Sequence, residues 1–264
     1  VRVVADGGPQ VGYGHVGRCL ALAEALDPDA AFDVQDAEVA RFVRERGGVV
    51  EPAADAPVVL LDHAGDTDAT EVQDLQRRGH RVVLLDDLGS ARAVADLVVD
   101  PPTAASWPAT PARRIGGFEH VLLRREVREA RRAQRPHGVL LALGGSDPTQ
   151  LTPALARALG DVDGLLVNLG PGYAGPRPDH GALLAGPHEF VDALSRVRLL
   201  VAAYGHSLLE AAHLGVPALV VVTRDDHQEH AEAFVRNGTA EIAAAGEVAA
   251  RVRDLLADPE RLDA

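Results

Sequence analysis

Apolar residues along this chain fall into short unbroken runs, each closed by a polar residue and followed by a segment of helical spacing. Val3-Val4-Ala5 leads into Asp6 and a glycine-rich turn, Gly7 to His15. Cys19-Leu20-Ala21-Leu22-Ala23-Glu24-Ala25-Leu26 then repeats its apolar positions at helical intervals. The order strand, turn, helix returns down the chain. Ala37 to Glu45 predicts a helix stopped by Gly47-Gly48 before the strand Val49-Val50. Pro57 to His63 is a third apolar run, Thr70 to Arg78 a helix ended by Gly79, Arg81 to Asp87 a fourth run and Leu97 to Pro102 a fifth.

Strands that read as continuous Val/Leu are buried on both faces, which predicts a parallel sheet covered by helices. Ligands of such sheets bind beyond the carboxyl ends of the strands. Asp6, Asp62, His63, Asp86, Asp87 and Asp100 stand at those ends. Aspartate also caps helices and closes turns, so Asp62 and His63 rank first as site residues and Asp100 last.

Leu122 to Arg135 carries six arginines, the pattern of a solvated connector, and sets a domain boundary between 135 and 136. A second α/β pattern follows. Val139 to Leu143 is a strand, Gly144-Gly145-Ser146-Asp147-Pro148 a glycine turn and Thr149 to Leu159 a helix. Strands over Gly164 to Gly170 and up to Gly186, a helix from Glu189 to Val197 and the strand Leu199 to Ala203 complete the alternation. The expected architecture is α/β, with two Rossmann-like domains whose parallel sheets face each other across a cleft. Residues 1–135 and 136–264 would be the two domains.

Net charge of −13 removes the electrostatic footprint of a nonspecific nucleic-acid binder, leaving a local phosphate pocket open. Cys19 is the single cysteine, so an intrachain disulfide and a cysteine-based zinc site are excluded, and a reducing cytoplasm is the expected home. No run of 18 apolar residues occurs and the N-terminus enters a strand directly, so neither a membrane span nor a leader is expected.

The glycine turn before His15 lets backbone N–H groups approach a ligand, and a helix start welcomes an anion. Its spacing is not the G-x-G-x-x-G of dinucleotide sites. In the second half, Tyr204-Gly205-His206-Ser207-Leu208-Leu209-Glu210 sets a glycine and a hydroxyl at a helix start, with a glutamate one turn later. Such a start suits a diphosphate, and the glutamate suits two ribose hydroxyls. Asp225-Asp226-His227-Gln228-Glu229-His230 follows. Its Asp and His residues are of metal-ligating type, but a polar helix start accounts for them and no metal is expected. His213 is read as packed on the apolar side of its helix.

These segments resemble the motifs of two-domain, GT-B-type nucleotide-sugar enzymes. Asp6, the Val11 to His15 turn, Arg18-Cys19, Asp62-His63, Asp86-Asp87, Leu123 and Gly144 to Pro148 resemble one branch in particular. That branch is the UDP-sugar hydrolase of pseudaminic-acid biosynthesis and its spore-coat polysaccharide relatives, cousins of the glucosaminyltransferase that makes lipid II. The resemblance runs through nearly the whole chain in order. Ala64 stands where that branch has an aromatic residue, and His206 and His227 are further departures.

The resemblance implies that His15 activates water at the anomeric carbon, with inversion, without metal or cofactor, and with Asp6, Asp62 and His63 beside it. Gly144, Gly145, Ser146, Gly205, Ser207 and Glu210 would hold UDP, and Gln228 would touch the sugar. Gly12, Gly14, Arg18, Tyr204, His206 and His227 complete the candidate substrate-binding set. Three functions stay open at this point: a UDP-sugar hydrolase, expected first; a glycosyltransferase with the same donor; and a non-catalytic nucleotide-sugar binder. The expected partner is a UDP-sugar, with no nucleic acid and no membrane insertion.

Overall fold

Strands made of unbroken Val/Leu runs lie at the centre of two separate parallel sheets. The computed structural model describes residues 1–8, 10–26, 29–100, 112–134, 137–223 and 227–262. Its contacts divide the chain into the units Val1–Arg124 and Arg125–Ala264. The boundary expected at 135 and 136, together with Pro9, Pro101, Pro102, Asp225 and Asp226, falls outside the described residues.

In the first unit β1 (Arg2–Ala5) leads into α1 (Gly14–Leu26), β2 (Ala31–Phe32), α2 (Ala37–Glu45) and β3 (Val49–Val50). Then come β4 (Val58–Asp62), α3 (Ala69–Arg77), β5 (Arg81–Leu85), β6 (Leu97–Val99) and β7 (Arg113–Ile115). The strand order is β3-β2-β1-β4-β5-β6-β7, and every pairing is parallel. Alternate residues of one strand serve opposite faces, as the pleat requires. Leu60 joins Val3, Val16, Cys19 and Val39 on the α1–α2 side, while Val59 and Leu61 join Val72, Leu75 and Val82 on the α3 side. Asp36 and Asp68 start α2 and α3 by accepting backbone N–H bonds from Val39 and Thr70.

The second unit begins with α4 (Arg125–Glu129), inside the arginine-rich run. Its Val127 is fully buried, and α4 packs against a helix of this unit, so part of the presumed connector is a packed element. β8 (Val139–Ala142), α5 (Thr152–Ala158), β9 (Leu165–Val167), β10 (Ala182–Leu183), α6 (Pro187–Arg196) and β11 (Leu199–Ala203) follow. α7 (His206–Leu214), β12 (Ala218–Val221), α8 (Gln228–Arg236), β13 (Ala240–Ala243), α9 (Val248–Ala257) and α10 (Pro259–Leu262) complete it. The strand order β10-β9-β8-β11-β12-β13 is again parallel throughout. Val139, Leu141, Leu199, Val201 and Leu219 share one face with Leu155 of α5, Leu159 just after that helix, and Val252 and Leu255 of α9.

Strand order reverses between β1 and β4 in one sheet and between β8 and β11 in the other. Those reversals are the topological switch points where open α/β sheets take their ligands. Both glycine-rich turns singled out by sequence emerge there.

Candidate functional site

In the first unit the turn after β1 closes on itself. Gly8 and Gly12 exchange backbone hydrogen bonds at 3.0 and 2.7 Å, both with positive φ, at +116° and +87°. A residue with a Cβ would strain both positions. α1 then starts at Gly14, and open space surrounds the Cα atoms of Gly12 and Gly14. Tyr13 turns inward onto Phe42, with ring centroids 4.6 Å apart, which anchors the turn.

That anchoring carries His15 to the end of β4. His15 Nδ1 lies 2.7 Å from Asp62 Oδ1. Arg18, one turn along α1, donates from Nε to Asp62 Oδ2 and from Nη2 to Asp62 Oδ1, both at 2.6 Å. Its Nη1 donates to Asp86 Oδ2 at 2.6 Å, and the Cys19 thiol donates to Asp62 Oδ2 at 3.4 Å. Asp62 is fully buried. Burial pushes its carboxyl pKa up, but hydrogen bonds from Arg18 and His15 and the Arg18 charge outweigh this and hold it at about 2. Desolvation works to lower the Arg18 pKa and is overcome by the two carboxylates, so the guanidinium is held charged more firmly than usual. Burial, reinforced by Asp62, pushes the Cys19 thiol well above its usual range and leaves it an inert neighbour.

An ionised Asp62 only accepts hydrogen bonds, so the short contact makes His15 Nδ1 the protonated nitrogen. The 3.1 Å approach of Arg18 Nη2 to the same nitrogen is therefore a donor–donor contact, not a hydrogen bond. Nε2 keeps its lone pair for a proton, which is the arrangement of an oriented general base.

Asp6 and His63 form a second pair next to this one. His63 Nδ1 is 3.6 Å from Asp6 Oδ1, and His63 Nε2 is 3.4 Å from Glu71 Oε1. Asp6 also accepts the Ala64 N–H at 2.8 Å. The remaining aspartates divide by role. Asp87 is buried and accepts from Thr67 and Gly89, and Asp100 pairs with Arg92 and Arg114, so both hold loops. Asp86, ranked with Asp87 by sequence, belongs with Arg18 and Asp62 instead. Its φ of +55° turns it there, a signal that strand-end composition does not carry.

In the second unit Gly144 leaves β8 with a φ of +90° and open space at its Cα. The turn rests on the segment after β9. Gly172 N–H donates to Gly145 O at 2.8 Å, and Gly170 lies so close to the Gly144 and Gly145 carbonyls that a Cβ there would collide with them. Asp147 is buried and turned away, accepting from Leu151 N and from both Thr152 N and Oγ1. Ser146 is half-buried.

At the neighbouring strand end, Gly205 opens α7 without a side-chain cap, and open space surrounds its Cα. His206 and Ser207 form the first turn, and Glu210 is buried on the inward face of the helix. Tyr204 stacks on His230 at a centroid distance of 5.1 Å and also meets His227 at 5.1 Å. The fold therefore brings Tyr204 and His227 together. Gln228 is exposed and bonds Glu232 on its own helix at 3.0 Å. His213 corrects the sequence reading: it is exposed, because the buried stripe of α7 runs through Leu208, Ala211 and Leu214 on the other side. Among the described residues no His, Cys, Asp and Glu cluster suits a metal ion, and no helix is long and apolar enough to cross a membrane.

No protein-family model matches the sequence. The uncharacterized protein MJ1062 of Methanocaldococcus jannaschii is 22% identical, over 87% of this chain and 57% of its own length. The chain thus spans little more than half of that relative. Among solved structures, Acinetobacter baumannii MurG is similar with a TM-score of 0.63 and 17% identity, over 99% of this chain and 91% of that one. The spinosyn forosaminyltransferase SpnP gives 0.68 and 13%, over 99% and 91%. Anabaena Alr3699/HepE, solved in complex with UDP-glucose, gives 0.62 and 12%, over 99% and 91%. The chain has the GT-B fold. At such identities the likeness is one of fold. That likeness gives no support to the pseudaminic-acid branch in particular.

Proposed function

We propose that this GT-B chain transfers a glycosyl group from a UDP-sugar to a hydroxyl acceptor, with His15 as general base. The observation that carries the reading is the 2.7 Å contact of His15 Nδ1 with the buried Asp62 carboxylate, which leaves Nε2 to take a proton. The acceptor O–H gives its proton to Nε2 as its oxygen bonds the anomeric carbon. The bond from that carbon to the diphosphate oxygen breaks, and its electron pair leaves with UDP. A single displacement inverts the anomeric centre.

Gly144, Gly145 and Ser146 after β8, with Gly205 and Ser207 at the start of α7, hold the diphosphate through backbone N–H and hydroxyl donors. Glu210 takes the ribose and Gln228 the sugar. Gly12 and Gly14 keep the His15 turn open to substrate, with Asp6 and His63 at its side. Tyr204, His206 and His227 line the nucleotide end. Hydrolysis uses the same groups with water in place of the acceptor, so activity assays with and without acceptor separate the two.

The test is diphosphate release from a panel of UDP-, CMP- and dTDP-sugars. Release from UDP-sugars that requires an acceptor supports transfer. Release at the same rate without acceptor makes the protein a hydrolase. Tight UDP binding with no release from any donor makes it a nucleotide-sugar binder, and no binding at all overturns the nucleotide site.

A further inference from the structure

Asp86 and Asp87 leave β5 side by side and diverge. Asp87 is buried and closes its own loop through Thr67 N and Gly89 N at 2.9 and 2.7 Å. Asp86 adopts a φ of +55°, a left-handed conformation disfavoured by a side chain, and reaches Arg18 Nη1 at 2.6 Å. Strain of this kind persists where surrounding contacts impose it, and it gathers at working sites.

Arg18 has three nitrogens to place. Nε and Nη2 grip the two oxygens of Asp62 as a planar fork, and Nη1 is fixed by Asp86. Without Asp86 the guanidinium is free to rotate out of the plane of the Asp62 carboxylate. Asp62 would then lose the orientation that sets the His15 ring.

We infer that Asp86 is a positioning residue: through Arg18 it fixes the Asp62 carboxylate and thereby the Nδ1–H tautomer of His15. The inference rests on the reading of His15 as the base, and it concerns a residue that reaches His15 through Arg18 and Asp62.

Asp86→Asn removes the charge and keeps the shape, and asparagine adopts the left-handed backbone as readily as aspartate does. Long-range ¹⁵N–¹H NMR of the full chain reads the imidazole tautomers, with the His15 signals assigned by their loss in His15→Asn. Wild type should show Nδ1–H at His15, and D86N a mixture of both tautomers. In donor turnover, D86N should lower kcat about 10-fold at unchanged KM, the scale of an outer-shell partner. A His15 tautomer that stays fixed in D86N overturns the inference, whatever the turnover. A tautomer freed by D86N in a protein that turns over no donor upholds the positioning role and overturns the base reading instead. Should D86N fail to fold, Asp86→Gly removes the carboxylate and relieves the left-handed strain, and its tautomers decide by the same criterion.

Discussion

Asp62→Asn tests the centre of the site without requiring a substrate. The substitution keeps the volume of a fully buried side chain, but it replaces one accepting oxygen with an NH₂ that faces the donors of Arg18, His15 and Cys19. The carboxyl titrates at about 2 in the folded chain against 3.8 as a free group. At 1.36 kcal/mol per unit, that difference is worth about 2 kcal/mol of stability. Because the folded pKa is the lower one, the contribution is complete above about pH 5 and fades as pH falls toward the folded value, with about half left at pH 3. Loss of the carboxylate also leaves the half-buried Arg18 with Asp86 alone. Breaking a buried pair costs about 3 to 5 kcal/mol, and the surviving partner places this case near the lower end. Hydrogen exchange of the β1 and β4 amides reads the opening free energy of the first unit itself. D62N should reduce it by about 3 kcal/mol at pH 7, with the gap from wild type narrowing by about 1 kcal/mol at pH 3. A gap that is equal at the two pH values would refute the assignment of Asp62 as the ionised anchor of the cluster.

Three further substitutions divide the site by role. His15→Asn should keep UDP affinity in calorimetry while turnover falls by at least about two orders, the scale of a general base; unchanged turnover removes His15 from that role. Glu210→Ala should weaken UDP binding, and equal affinity in the same titration takes Glu210 out of the nucleotide site. Gly170→Ala drives a methyl group into the Gly144 and Gly145 carbonyls and must displace that turn. It should lower UDP affinity at least about 10-fold and cost about 1 to 3 kcal/mol of stability, read by calorimetry and urea unfolding; wild-type affinity would show that the turn does not bind.

The parallel sheets were legible because their central strands are buried on both faces and so admit almost nothing but Val, Leu and Ala. Leu199 to Ala203 appears in the structure with the bounds read from sequence. β2 and β7 left no such signal. β2 has two residues, and β7 is Arg-Arg-Ile with both arginines exposed. The helix expected from Thr149 begins at Thr152, because Asp147 takes the Leu151 and Thr152 N–H groups and holds the preceding residues in a turn with positive φ at Asp147 and Gln150. Candidate site residues are marked in the sequence only by their place at strand ends. What the sequence hides is which way each carboxylate turns. Asp62, Asp86, Asp87 and Asp100 share a residue type and a place in the topology, yet two hold Arg18 and two hold loops, a difference set by backbone angles and by partners distant along the chain.

The two glycine turns occupy equivalent places in their sheets but differ in charge, and this decides between the roles that glycine alone allows. Around the first turn, Asp62 and Asp86 against Arg18 leave one net negative charge, and Asp6 adds another beside it. A like charge about 4 Å away costs about 4 kcal/mol near a protein surface, far more than a single helix start returns to an anion. A diphosphate is therefore unwelcome at Gly12 to His15. In the second turn Asp147 is committed to the N-terminus of α5, and the glycines at positions 144 and 205 face open space. If the order were reversed, with the diphosphate against His15, then replacing Asp86 by asparagine should tighten UDP binding; under the present reading it leaves the UDP dissociation constant unchanged.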